Sequence, residues 1–140
     1  MRILCLAAAS SALLLSACDG GGAKPSGGGD DRFAGLDQAI LGWKADIEAT
    51  HESCKNKVDG SGCVDFQVSC KAERVITDAD KAAGVQERVV ASFRWSGWNE
   101  AKTEQLPGGA GAEFDKVAGQ WTRKATPPVN PTSCQPLQAA

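Results

Sequence analysis

The feature that most constrains this chain is a change of hydrophobic period between Cys54 and Cys63. Over residues 33–54 the apolar side chains fall at Phe33, Leu36, Ile40, Trp43 and Ile47, in steps of three and four. That is the spacing of one face of an α-helix. The stripe, flanked by Leu41, runs on through Thr50 or His51 to Cys54, whereas Asp37, Lys44, Asp46 and Glu48 fall elsewhere and are expected in water. Residues 55–62 break the pattern with Asn56, Asp59-Gly60 and Ser61-Gly62, which are turn formers. From Cys63 the period is two: Val64, Phe66, Val68 and Cys70 are predicted on one face of a strand reaching Val75, and Asp65, Gln67 and Ser69 on the other. Helix and strand are each apolar on one side, so each needs the other to form a core.

The rest of the chain supplies further strands. Residues 77–84 read as a loop with one helical turn, started by Thr77 or Asp78 and stopped by Gly84. Val85, Val89, Ala91, Phe93 and Trp95 then alternate with Gln86, Arg88, Ser92 and Arg94, with Glu87 interrupting the apolar face. Residues 99–111 read as a polar, glycine-rich connection, and Val117, Gly119, Trp121, Arg123 and Ala125 as one phase of a weaker strand over residues 113–125. From Thr126 several prolines and no period predict an irregular tail held by Cys134. The expected fold is α+β, an N-terminal helix on an antiparallel sheet of about three strands, with two disulfides. In element order it is similar to cystatin-like and NTF2-like arrangements, and such a likeness carries no function.

The start of the chain reads differently. Met1-Arg2 is followed by Ile3, Leu4, Leu6 and the apolar residues 7–9 and 12–15, and then Ser16-Ala17-Cys18. A basic start, an apolar core of about a dozen residues and a small-residue end make a secretory signal peptide. The run is too short to span a bilayer. Leu15-Ser16-Ala17-Cys18 resembles the lipobox of bacterial lipoproteins; an ordinary signal peptide with a chance cysteine is the alternative. The resemblance implies a diacylglyceryl group on the Cys18 thiol, cleavage after Ala17 and acylation, such as by palmitate, of the new amino terminus. The expected organisation is a leader over 1–17, a lipidated cysteine and flexible tether over 18–32, and one small globular domain over 33–140. The tether holds six glycines, one proline and no large apolar residue, so it spans roughly 20 Å as a coil. Asp19 resembles the signal that retains enteric lipoproteins in the inner membrane. The localisation expected is the cell envelope, facing the periplasm, with inner and outer membrane both open and Asp19 on the side of the inner.

Cys5 leaves with the leader, and Cys18 is the lipid site. Cys54, Cys63, Cys70 and Cys134 remain, an even number in an exported domain, which predicts two disulfides. Cys63 and Cys70 on one strand would stand roughly 23 Å apart, beyond the roughly 7 Å between Cα atoms that a disulfide allows. Cys54–Cys63 with Cys70–Cys134 is the favoured pairing; Cys54–Cys70 with Cys63–Cys134 stays open. A metal site drawn from His51, Cys54, Cys63 and Cys70 is the competing use, although no C-x₂-C pair occurs.

Function is less legible. Without Arg2 the chain carries 14 basic and 17 acidic residues, a formal −3, and no basic stripe supports nucleic-acid binding. His51 is the only histidine; in the last turn of a helix it is expected to cap the carbonyl end, and no Gly-x-Ser-x-Gly nucleophile accompanies it. Asp78 and Asp80 resemble the start of a calcium loop whose glycine and closing glutamate are missing. Trp95-Ser96-Gly97-Trp98 is the most distinctive internal stretch. On a regular strand its indoles face opposite ways, and a bulge at Gly97 would unite them as a platform for a sugar ring, a peptide or a partner protein. The plainer expectation puts Trp95 in the core and Trp98 at the sheet edge. Together these features predict a membrane-tethered envelope domain with a binding or structural role and no catalysis, without cofactor or metal. Its partners would be the membrane, through the anchor, and an envelope protein or glycan. A small-ligand or glycan module using Trp95 and Trp98 is the alternative, and a hydrolase using His51 a third.

Overall fold

In the computed structural model, residues 31–137 are described. The leader, Cys18, Asp19 and the tether up to residue 30 lie outside the described residues, as do the last three. After a short 3-10 turn (Asp31–Phe33) come α1 (Leu36–Thr50) and α2 (Glu52–Lys55). Then follow β1 (Val64–Glu73), α3 (Asp78–Ala82), β2 (Val85–Trp98), β3 (Gln105–Val117) and β4 (Gln120–Ala125). The strands form one antiparallel sheet in the order β1-β2-β3-β4. The α+β class stands, with four strands in place of about three.

The helical stripe packs as its spacing requires. Leu36, Ile40, Trp43 and Ile47 are the buried residues of α1, and they meet Val89, Ala91, Phe93, Trp95, Ala112 and Phe114 of the sheet in one core. Trp43 lies 4.8 Å from Phe93 and 5.9 Å from Phe114 between ring centroids. Each large apolar side chain buried here contributes roughly 1.5–3 kcal/mol. The helix is interrupted, however, where the sequence predicts continuity. His51 is extended (φ −72°, ψ 132°), and its ring accepts the Ser53 N–H as the cap of α2. His51 therefore does both jobs: its backbone N–H closes α1 on the Ile47 carbonyl at 2.9 Å, while its ring, in place of capping that carbonyl end as a cation, starts a new turn. The new turn aims Cys54 at Cys63.

The predicted third strand is in fact the end of β3, a turn and β4. Val117 pairs with Gln120, and between them Ala118 and Gly119 have φ of +50° and +79°, the two left-handed residues of a type I′ hairpin turn. The stretch read as a connection forms most of β3. Its small residues are complementary to β2: Gly108 lies opposite Trp95 and Ala110 opposite Phe93. A Cβ on Gly108 would lie 2.3 Å from Trp95 Nε1, so only glycine lets that indole lie across β3.

Bulges also re-sort the faces. Register shifts fall between Val64 and Gln67, between Val68 and Cys70, and between Val85 and Glu87. Each extra residue reverses the phase of the residues beyond it. Phe66 and Val68 stay on the helix side, but Val64 opposite Ser96 and Cys70 opposite Ser92 lie on the back of the sheet. Val85 likewise leaves the phase of Val89. The predicted shared face of Val64, Phe66, Val68 and Cys70 is thus split.

The inverted Cys70 meets the tail. Cys70 joins Cys134 with Cα atoms 5.7 Å apart, and Cys54 joins Cys63 at 4.6 Å. The first draws residues 126–137 over the back of the sheet, where Cys134 is fully buried and its carbonyl accepts from the Arg74 guanidinium. No described helix is long and apolar enough to cross a membrane.

Candidate functional site

The structure separates the indoles singled out in the sequence. Trp95 is 3 % exposed on the helix side, stacked on Phe66 at 5.6 Å and met edge-on by His51 at 5.1 Å. β2 and β3 keep one register from Glu87 to Trp98, so there is no bulge at Gly97, and Trp98 falls on the back of the sheet. It is half-buried, and its carbonyl accepts from Asn56 Nδ2 at 3.2 Å. Gly97 has a different use. A Cβ there would lie 2.3 Å from Ser53 Oγ, so the glycine lets α2 and its disulfide close onto the sheet. Trp121, at the far end on β4, stacks on Phe33 at 6.4 Å and donates to the Ala34 carbonyl. The three indoles share no concavity.

His51 and its neighbours are built into the fold. Its Nδ1 lies 2.9 Å from Ser53 Oγ and accepts from Ser53 N at 3.3 Å, a local capping pair that sequence reading missed because Ser53 carries no motif. The sulfurs of the metal alternative are all in disulfides, and no group of three or more metal-ligating side chains occurs among the described residues.

The densest electrostatic feature lies on the back of the sheet. Arg88 Nε and Nη2 donate to the two carboxylate oxygens of Asp115 at 2.6 and 2.9 Å, and Nη1 and Nη2 donate to Asp80 at 3.0 and 2.9 Å. Glu113 lies 3.1 Å away, and Lys124 Nζ donates to Asp115 at 2.5 Å. The Asp115 side chain is 1 % exposed, so leaving it unpaired would be costly. Arg88 holds the Asp115 carboxyl below the usual carboxylate range against the opposing effect of burial, with help from Lys124. Asp80 is held at about 2, first by hydrogen bonds from the Thr77 backbone and hydroxyl that complete the cap of α3, then by Arg88. Three carboxylates and two cations thus fasten α3 and β4 to the sheet.

A groove opens beside this network. β4 pairs only with residues 112–117 of β3 and Thr126 flanks Gly111, so residues 105–110 have β2 as their only strand neighbour among the described residues. Past Ala125 the chain turns onto the back of the sheet and leaves a groove of about 340 Å³ lined by Ser92, Gly109, Gly111, Thr126, Pro128 and Val129, among others. Arg94 lies one row away, opposite Gly109; it is exposed, and no ion pair engages it among the described residues. The sequence signal for this site was the unbroken run of small residues over 108–112, in which Gly108, Ala110 and Ala112 lie opposite Trp95, Phe93 and Ala91, masked by the low strand preference of glycine. Comparison of the chain with protein families, with curated proteins and with solved structures finds no match.

Proposed function

We propose that this chain is a membrane-tethered bacterial envelope lipoprotein whose small domain acts by binding, without catalysis. The observation that carries the reading is the pair of disulfides, Cys54–Cys63 and Cys70–Cys134, downstream of Leu15-Ser16-Ala17-Cys18. Structural disulfides belong to oxidising compartments, and a leader with a lipobox-like end delivers a chain there and anchors it. The polar groups best suited to chemistry also support it, because they serve the fold. His51 caps α2, Asp80 caps α3, and Asp115 closes on Arg88. The glycan reading through Trp95 and Trp98 draws less support, because the indoles lie on opposite faces.

The test is Cys18→Ser in the full-length chain, followed by palmitate labelling and membrane flotation. Loss of label and accumulation of the precursor are expected. A variant that matures normally and still floats with membranes would overturn the anchor. Thiol counting on the unreduced, delipidated protein should give zero; two reactive thiols would remove the disulfide argument.

A further inference from the structure

We propose that the open edge of β3, residues 105–110, receives an extended peptide segment of a partner protein as an added strand. The preferred segment has a large apolar residue two positions from an acidic one. The inference rests on the reading of this domain as a binding module and names its partner class.

The polarity of the edge is set by the hairpin. In a two-residue turn the Val117 carbonyl accepts the Gln120 N–H, so the backbone groups of Val117 face β4. Backbone direction alternates along an antiparallel strand. The register of β3 on β2 is unbroken from Lys116 to Gln105. Gly111, Gly109, Pro107 and Gln105 therefore turn their backbone groups outward, past the end of β4. Pro107 fits this assignment, because a proline in a sheet sits where its missing N–H faces an open edge. Thr126, next in register after Ala125, flanks Gly111, so two N–H groups and three carbonyls, at Gly109, Pro107 and Gln105, are left for a visiting strand in a segment that is largely exposed.

The opposite edge of the sheet is different. β1 carries two register shifts, and Asp65 within the first has φ +56°; such bulges block edge pairing. The β3 edge has no such irregularity. Its glycines also clear the back of the sheet. Arg94, Gly109 and the residue opposite Gly109 on an added strand would lie in one row, with the added strand two spacings, roughly 10 Å, from β2. No side chain at Gly109 stands between them, so the guanidinium can reach across to an acidic side chain. The next row on the same face is Ser92 and Gly111, flanked by Thr126; the added strand ends there, and its last side chain on this face turns into the 340 Å³ groove walled by Thr126, Pro128 and Val129. Main-chain pairing gives such a complex its affinity, and pockets for alternate side chains give its specificity. That last side chain and the one opposite Gly109 are two positions apart on one face of the added strand.

The experiment uses the mature lipidated chain in detergent micelles and phage-displayed random nonapeptides. Selected peptides are resynthesised with a fluorescent label and measured by anisotropy against three proteins: the native chain, Gly109→Pro and Arg94→Glu. Gly109 has an ordinary φ and its N–H faces outward, so proline there blocks the edge and spares the bonds to β2. Circular dichroism and thermal midpoint identify any variant that fails to fold. If Gly109→Pro is such a variant, Arg94→Glu, at an exposed position, decides the question by itself. Expected are enriched peptides with the apolar and acidic residues two apart, at least tenfold weaker binding to Gly109→Pro, and a preference switched to Lys or Arg by Arg94→Glu. No enrichment, or equal binding to all three folded proteins, overturns the site. A concentration-dependent dimer in sedimentation, lost in Gly109→Pro, would assign the edge to a second copy and overturn the peptide. A chain that is lipidated at Cys18 yet selects no peptide loses this proposal alone, whereas one that selects peptides without lipidation loses only the anchor.

Discussion

The two faces of the sheet are built on different physics. On the helix side Ile40, Trp43, Phe93 and Phe114 exclude water, and burial is both the driving force and the specification. On the back, Val90 and the fully buried Asp115 share a surface with Arg88, Ser92 and the half-buried Trp98. That surface is closed by an ion network and by a tail stapled through Cys134. The helix face would assemble from hydrophobic pattern alone. The back face needs charge pairing and a covalent bond to hold a proline-rich segment with few packing partners. A domain of this size buries only about two-thirds of its unfolded surface, so one generous core and one stapled face is a workable division.

The largest expected effect tests the helix face. Phe114 is fully buried between α1 and the sheet, and Phe114→Ala should cost about 3–5 kcal/mol, read as a lower denaturant midpoint at constant slope. A loss under about 1 kcal/mol would mean that the back face carries the stability.

Opening the staple of the back face comes next. Cys70→Ser with Cys134→Ser frees a loop of 64 residues and should cost roughly 2–4 kcal/mol. The Cys54–Cys63 pair closes only nine and should cost less, by the weak logarithmic dependence on loop length. Thermal melts of the two double mutants, with limited proteolysis of the tail, measure the contrast. Equal losses, with the tail still protected, would show the tail held by packing.

The ion network gives a smaller effect with a pH signature. Arg88→Met leaves Asp115 with Lys124 alone, at roughly 2–3 kcal/mol near neutral pH, and adding Asp115→Leu should recover most of that loss. Both Asp115 and Asp80 have lowered folded-state values. Their contribution is therefore complete above the unfolded value near 4 and lost as pH falls through the lowered folded-state values, which for Asp80 means about 2. Denaturant midpoints should be flat above about pH 5 and decline below pH 4 in the native chain, less steeply in the double mutant. Parallel declines would place the acid sensitivity elsewhere.

The smallest effect is at Trp98. Its Nε1 is buried with no partner among the described residues, so Trp98→Phe removes an unsatisfied donor along with part of a half-buried ring. The two terms oppose, and the net change should stay within about 1 kcal/mol. A larger loss in the melt would make Trp98 a main packing element of the back face.

How far the sequence reaches can be traced residue by residue. The α1 stripe of Leu36, Ile40, Trp43 and Ile47, the burial of Trp95 and the Thr77 start of α3 come from period and capping, which are local. The pairing of Cys54 with Cys63 is favoured because a helix end must meet a strand start, but Cys54–Cys70 stays open until the bulge turns Cys70 to the back of the sheet. The exposed edge of β3 was not legible, because glycine and proline argue locally against a strand. Only the indole of Trp95 lying across Gly108 makes those residues a requirement. Ala118 in a left-handed turn and the break of the helix at His51 escaped for a similar reason, since neither residue type announces that conformation.

The sequence by itself therefore determined the set of surfaces that had to be buried: one apolar helix stripe, one apolar phase of β2 and four cysteines to be paired. Which face each later residue would occupy was decided by the bulges in β1 and at Gln86. Single extra residues there turn Cys70 and Val85 to the back of the sheet. A period of two carries no information about where it will slip by one, because the slip is set by the partner strand and by what each face must cover. The back face, its ion network and its groove exist only through that choice.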